Sequence, residues 1–433
     1  MSTPSIPLAA RSMPRTRSQR HGLGFWVTAY AFAVAMAFSA VPTPLYALYQ
    51  RRDGFSTTMI TVIFAAYALG VTASLFLAGH LSDWLGRRRT LLAAMLLTLV
   101  AAASFLVWRS TAGLLVARVV NGLSIGVVTA TATAYLAELH AHGRPDASGR
   151  RAEVVATAAN LGGIGVGPLV AGILAQWVAD PLTVPYLVFA ALLVLAVGGL
   201  VLVPETKRPP VELPRYRPQR VSVPAAARGR YFAAAAGGLI AFAAFGLFTS
   251  LAPTFLAQTL GHTSRALAGA TVFAVFASAA VLQSLLGARP ARMLLLAGVT
   301  VLPLGLALVT TAVWLPRPSL ALFLVGGATT GAGAGLLVKA TLSTVVELAP
   351  PESRAEALAG FFLAAYIGLS VPVVGLGIVA GFVPARVALL GFAALTLVGV
   401  LAIAAPAARS TASAGGRTRP ARARAVPSGG AAE

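Results

Sequence analysis

The sequence predicts an all-α membrane protein whose twelve transmembrane helices form two pseudo-symmetric six-helix bundles. Three observations carry that prediction. Of the 433 residues, 58% are hydrophobic and 10% are charged, whereas a soluble domain carries about 25% charged residues; a water-soluble fold of this composition could not cover itself with polar groups. Apolar runs of about 20 residues, the length that crosses a bilayer, recur along the whole chain. Finally, RAEVVATAANLGGIGVGPLVAG at 151–172 aligns without gaps on RAEALAGFFLAAYIGLSVPVVG at 354–375.

The elements follow in order. Residues 1–24 form a basic tail, Arg-rich and acid-poor in the manner of a transit peptide. The apolar run behind it, 25–46, is too long for a signal-peptide core and reads as a retained first helix. Further spans are expected near 58–79, 90–108, 111–137, 152–177 and 185–203, which closes an N-terminal bundle at 25–203. Residues 204–230 are rich in Pro and Arg, lack apolar periodicity and read as a polar linker. A second bundle at 231–405 holds spans near 231–256, 265–288, 291–314, 319–346, 355–381 and 385–405. The charged tail at 406–433 is expected to be disordered.

Charge sets the orientation. With both termini cytoplasmic, one side holds the tail arginines, Arg87 to Arg89, Arg144, Arg150, Arg151, the basic linker, Arg289, Arg292 and Arg354. The other side holds only Arg51, Arg52, Arg109, Arg265, Arg317 and Arg386. Positive residues favour the cytoplasmic side, so the loop between helices two and three faces inward. The net charge of +21 is spread over short gaps and tails rather than gathered on one face, which excludes a nucleic-acid partner. The absence of cysteine excludes disulfides and Cys-ligated metals. No nucleophile–base set or metal-ligand cluster stands together, so neither an enzyme nor a metal site is expected. Gly122, Gly126 and Glu138 match Gly331, Gly335 and Glu347 at one fixed offset. Helices four and five therefore correspond to ten and eleven. Two similar bundles able to rock about a central site are what an alternating-access carrier needs.

Three motifs carry chemistry. Between helices two and three, GHLSDWLGRRR places Gly79, Asp83, Gly86, Arg87 and Arg88 in a G-x-L-x-D-x-x-G-R-R pattern. The glycines allow a tight turn and close helix approach, and an aspartate suits a helix N-terminus. In helix four, Arg118 lies inside a span, where an arginine is costly and usually functional; Asn121 and Gly122 follow it. In helix five, Gly163, Gly167, Pro168 and Gly172 supply small residues and a helix bend. Together these resemble the major facilitator superfamily, and the helix-five pattern resembles its drug:proton antiporter branch. The resemblance implies a gate motif at Asp83 latching against the start of helix eleven, near 353–356. It also implies proton coupling through Asp83 and Arg118, and multidrug-type efflux by antiport. The matching loop of the second half, GARPAR, lacks the aspartate. PETKR at 204–208 resembles the helix-six end of sugar carriers in the same superfamily.

The charges bear on cargo. All twelve acids fall in loops, tails or helix ends, so nothing offsets the desolvation of a strongly cationic cargo. Lys339 is a buried ammonium in helix ten that suits an anion or a proton. Tyr30, Phe38, Tyr67, Asn121, Asn160, Phe245, Gln283 and Tyr366 complete the candidate substrate cavity, aromatic with few polar groups. The expected protein is a monomeric secondary transporter of the bacterial inner membrane. Its partners are a small-molecule substrate and the lipid bilayer; it carries no cofactor and is driven by the proton gradient. It exports small neutral or anionic organic compounds. The alternatives are uptake or facilitated passage of a sugar or organic acid, and a non-transporting receptor or scramblase.

Overall fold

The computed structural model describes residues 15–78, 81–207, 227–350 and 353–415. Within these stretches the chain is helical apart from short turns and loops. In order it forms α1 (Arg15–Ala40), α2 (Tyr46–Asp53), α3 (Thr57–Ala78), α4 (Leu81–Leu85), α5 (Arg87–Val107), α6 (Thr111–Gly143), α7 (Arg150–Thr157), α8 (Gly163–Trp177) and α9 (Val184–Val201). The second half holds α10 (Arg228–Ser250), α11 (Ala252–Gln258), α12 (Arg265–Leu286), α13 (Ala291–Trp314), α14 (Leu320–Leu348), α15 (Arg354–Val379) and α16 (Ala385–Gly415). Among the described residues, twelve segments are long and apolar enough to cross a membrane, six in each half, as the sequence predicts.

Departures from the expected spans have local causes. The first span ends at Ala40 because Pro42 and Pro44 follow. A proline has no N–H to donate and clashes with the preceding turn, so the chain passes through a short 3₁₀ turn, Thr43–Leu45, before α2. Gly54, at φ +69°, ends α2 and donates its N–H to the Gln50 carbonyl, a left-handed cap that glycine adopts without strain. The fifth span is interrupted by one π-helical turn, Ala158–Gly162, between α7 and α8. Two tail boundaries also shift. The first helix begins at Arg15, inside the predicted basic tail, and α16 runs on to Gly415, so residues 406–415 are helical rather than disordered.

The internal repeat is visible as packing. Ser110 caps α6 and Ser319 caps α14, each hydroxyl accepting a backbone N–H three residues on. Within α6, Gly122 meets α3 so closely that a Cβ there would lie 3.0 Å from the Gly70 Cα. At the matching place in α14, a Cβ on Gly331 would lie 2.8 Å from the Val275 Cα of α12. The fourth span thus seats on the second as the tenth seats on the eighth, through glycines at equivalent positions. Small residues are what allow membrane helices this approach. The halves meet along two seams, α3 against α15 and α8 against α12.

Candidate functional site: a charged gate and an aromatic seam

The short helix α4 and the start of α5 bring the gate motif together. Gly86 between them has φ +95°, and a Cβ there would lie 2.5 Å from the Glu205 carboxylate. Conformation and space therefore both require glycine. Glu205 occupies that space because the first N–H groups of α5 have no partner in their own helix. Its two oxygens accept from Arg87 N at 2.8 Å and Arg88 N at 3.1 Å, an anion on a helix N-terminus. Buried Arg87 then fans outward. Its guanidinium donates to Asp83 at 2.9 Å, to Glu138 at 2.9 and 3.0 Å, and to the Ser82 hydroxyl at 2.6 Å. Glu138 also accepts the Thr206 hydroxyl at 2.6 Å, and Lys207 reaches Asp83 at 2.5 Å. Burial pushes the Asp83 carboxyl up, but Lys207 and Arg87 outweigh it and hold it below the ordinary value of 3.8.

This network ties the α3–α5 loop to the ends of α6 and α9, wholly within the N-terminal half. Among the described residues Asp83 pairs with Arg87 and Lys207, whereas the family resemblance places its latch at the start of α15. Gly79 lies outside the described residues. Glu138, Glu205 and Lys207 were placed at helix ends and in a linker by their sequence position. Glu205 and Lys207 lie in the PETKR string, which has a structural role: residues 204–207 continue the gate rather than merely leaving it.

Arg118 does not reach for the membrane surface. It is 2% exposed, donates to the Ser39 carbonyl at 2.6 Å and stands 4.5 Å over the Tyr67 ring and 5.7 Å over Phe64. Ser39 is in the last turn of α1, whose final carbonyls are left without helical partners. The proline break that ends α1 therefore creates the acceptor, and Arg118 fills it, a cation at a helix C-terminus. One turn on, Asn121 is fully buried and neither polar atom of its amide has a partner, nor has the Arg118 Nε.

The helix-five glycines serve two neighbours. A Cβ at Gly163 would meet the Ala33 carbonyl of α1 at 2.6 Å, and Gly167 presses equally on the Ala37 carbonyl. Gly172 abuts the Arg265 carbonyl of α12, and Gly269 of α12 abuts the Pro168 carbonyl. The Arg265 guanidinium donates to the Ala175 carbonyl at 2.7 Å, while Gln176 Oε1 accepts the Arg265 N–H at 2.9 Å. Each helix end is thus capped by the other half. On the second seam Thr58 donates to the Gly377 carbonyl at 3.1 Å. All these contacts lie at the end opposite Asp83. At the Asp83 end, Lys339 of α14 pairs with Glu153 of α7. Among the described residues it is the ion pair that joins the halves.

The cavity candidates divide. Tyr366 packs edge-to-face on Phe242 at 5.4 Å, Phe242 on Phe245 at 6.2 Å, and Phe245 stacks on Phe276 at 4.7 Å, so an unbroken run of rings reaches the seam. Phe276 faces α8 there, its Cβ 3.1 Å from where one on Gly165 would stand. Half-buried Asn160 sits in the π turn, which packs on α1 and α12; such turns are frequent at functional sites. Tyr67 is committed to Arg118, and the Gln283 amide donates to the Gly335 carbonyl at 2.8 Å. Two candidates are corrected. Tyr30 is 39% exposed on the outer face of α1, its hydroxyl on the Leu192 carbonyl. Phe38 is fully buried inside the N-terminal half against Phe105 and Tyr186. Their aromatic character marked both as cavity candidates without saying which neighbour each helix face meets. Phe242, Phe276 and Glu153 belong to the seam and were not among the candidates. A separate recess of about 550 Å³, between α13 and α16, is lined almost entirely by apolar side chains and opens among exposed Trp314, Leu390 and Leu397. It suits an acyl chain rather than a cargo.

Residues 23–315 match the Major Facilitator Superfamily. An uncharacterized MFS-type transporter of Methanocaldococcus jannaschii is 27% identical over 151 residues, which is 35% of this chain and spans only 37% of that relative. Among solved structures, a peptide transporter of the POT type in complex with sulfate is similar at a TM-score of 0.74 and 15% identity, covering 92% of this chain and 99% of that one. The nucleoside transporter NupG is similar at 0.69 and 12% identity, covering 88% and 99%. The human organic anion transporter TETRAN is similar at 0.62 and 18% identity, covering 90% and 100%.

Proposed function

The chain belongs to the major facilitator superfamily and is a multi-pass membrane transporter of that type, and we propose that it exports small neutral or anionic organic compounds in exchange for protons. In this reading it resides in the bacterial inner membrane with both termini cytoplasmic, and its halves rock about the aromatic seam. The Asp83 end then faces the cytoplasm, and the opposite end, held by backbone contacts between the halves, is closed in this state.

The observation that carries the cargo class is the Lys339–Glu153 pair. An ammonium at the seam, with 22% of its side chain exposed, has one carboxylate partner, and that partner comes from the other half. Stripping a half-buried charge of its partner is expensive, whereas exchanging one anion for another is not. A cargo carboxylate can therefore replace Glu153 on Lys339, releasing the tie between halves as it binds. Asp83 keeps its charge while Lys207 and Arg87 hold it, so its protonation belongs to a state in which those contacts are broken. A second reading, uptake of a sugar or organic acid, draws support from Glu205 and Lys207, which give the sugar-carrier-like PETKR string a place in the gate.

The test uses everted membrane vesicles energised to an acid interior. Neutral, anionic and cationic compounds are added singly and the gradient is followed. Collapse with neutral or anionic compounds, absent in Asp83→Asn vesicles, is the expected result. Collapse with cations alone overturns the cargo class. No collapse, with the purified protein still equilibrating a sugar or acid across liposomes, establishes the second reading.

A further inference from the structure

We propose that the Asp83 end of the first, fourth and fifth spans carries a binding site for the head group of an anionic phospholipid. The site is separate from the gate and from the seam, and it stands whether or not the export reading does.

A recess of about 230 Å³ opens there between α1, α6 and α7. Its polar wall is Gln19, His140, Arg144 and Arg151, and its apolar wall is Phe25, Trp26 and Leu139. No carboxylate lines it. The nearby acids on the same helices are engaged elsewhere: Glu138 with Arg87 and Thr206, and Glu153 with Lys339. The Arg151 guanidinium lies 5.4 Å over the Trp26 ring, and no ion pair among the described residues claims it. Arg144 is exposed, and no ion pair among the described residues claims it. The intervening loop is tied back through His140, whose Nε2 lies 3.1 Å from the Ser148 carbonyl. Two guanidiniums beside one recess whose lining holds no acid, with exposed Asp146 of the intervening loop outside that lining, are matched to a phosphate, which they grip in the planar, forked geometry that lysine lacks.

What selects a lipid over a soluble phosphate is the apolar face that continues from the recess. Leu23, Trp26 and Tyr30 are 70%, 52% and 39% exposed and are spaced three and four residues apart, on one side of α1. They run from the basic recess toward the middle of the span. A Trp and a Tyr with one end apolar and the other polar are at home at this level of a bilayer. An aqueous anion has no use for that stripe. A phosphodiester with acyl chains uses both parts, its head group on Arg144 and Arg151 and a chain along Trp26 and Tyr30. Basic pockets between spanning helices take anionic head groups in this way.

The test uses the full chain purified in an uncharged detergent and titrated with phosphatidylglycerol or phosphatidylcholine, with binding read by native mass spectrometry. Phosphatidylglycerol is expected to bind at least tenfold more tightly. The double variant Arg144→Gln, Arg151→Gln should lose that preference. The double variant Arg289→Gln, Arg292→Gln removes the same charge from the same end of the other half and should keep it. In parallel, phosphatidylglycerol with brominated chains should quench the Trp26 fluorescence, taken as the difference from Trp26→Phe, more than brominated phosphatidylcholine does; this readout needs no arginine variant to fold. Equal binding of the two lipids overturns the proposal, as does preference surviving in Arg144→Gln, Arg151→Gln or lost equally in the control pair. Full displacement of phosphatidylglycerol by inorganic phosphate at equal concentration would show a site for aqueous anions instead.

Discussion

The two ends of the seam between the halves are built from different physics. Opposite Asp83, the halves are held by backbone. Gly172 and Gly269 admit a neighbouring carbonyl, Gln176 and Arg265 cap each other's helices, and Thr58 bonds the Gly377 carbonyl. At the Asp83 end a dense charge network stays inside one half, and a single ion pair, Lys339–Glu153, crosses among the described residues. Backbone contacts at van der Waals distance are short-ranged and shape-specific, and they fail abruptly when a methyl intrudes. An ion pair with 22% and 52% of its side chains exposed is reversible and sensitive to salt and to competing anions. The difference teaches that one end is set by geometry and the other is poised to respond to a ligand.

The largest effect should come from breaking the geometric end. Gly269→Val places a branched side chain where a Cβ alone would already lie 2.8 Å from the Pro168 carbonyl carbon. Overpacking of this kind costs about 1–3 kcal/mol, and here the strain is relieved by separating α8 from α12. The chain has no cysteine, so spin labels can be attached to cysteines introduced at Trp177 and Thr263 without background. Pulsed EPR should show that distance lengthened in Gly269→Val, with transport reduced more than tenfold. An unchanged distance would mean that the glycine seam is incidental to closure.

Next in size is the ionic tie. Lys339→Gln and Glu153→Gln should both loosen the Asp83 end, and the same labels moved there should report it. Their effects on cargo should part: Lys339→Gln weakens an anionic cargo about tenfold or more, while Glu153→Gln leaves affinity intact or improved, because it removes the competitor. The exchange Glu153→Lys, Lys339→Glu restores the tie and not the cargo. Equal losses in the two single variants would reduce the pair to a structural bridge.

Much of this contrast was legible in the sequence, and the part that was not has a physical reason. The span count, the duplicated halves and the Gly86–Arg87 turn follow from hydropathy, spacing and glycine, all of which are local. Arg118 was marked by its place in a span, yet its acceptor, the Ser39 carbonyl, exists only because Pro42 and Pro44 end α1. Glu205 is a helix cap for a segment far away in the chain. Tyr30 and Phe38 were misplaced because a helix that is apolar all round does not reveal which face meets lipid and which meets protein.

A smaller effect belongs to the Glu205 cap. Glu205→Gln keeps an acceptor for the α5 N-terminus but removes the charge, so a loss of about 1 kcal/mol is expected, the scale of a charge at a helix end. Thermal unfolding in detergent checks it, and the Thr206 contact to Glu138 should persist.

The smallest effect, and the one that most sharpens the comparison, is the pH dependence of the Asp83 network. Its carboxyl is held below the ordinary value of 3.8 in the folded chain by Lys207 and Arg87. A depressed acid binds fewer protons folded than unfolded, so its contribution to stability is complete above about pH 3.8 and fades as the pH falls through the lower folded value. With 45% of the side chain exposed, solvent screens much of that contribution. Wild type and Asp83→Asn should therefore differ modestly in unfolding temperature at neutral pH and converge in strong acid. Between pH 5 and 8 the difference should stay flat, because the carboxylate remains charged across that range in this state. A difference that instead changed between pH 6 and 8 would show that Lys207 and Arg87 do not hold Asp83 as described, and that the charged end titrates in the range in which a proton gradient operates without first changing state.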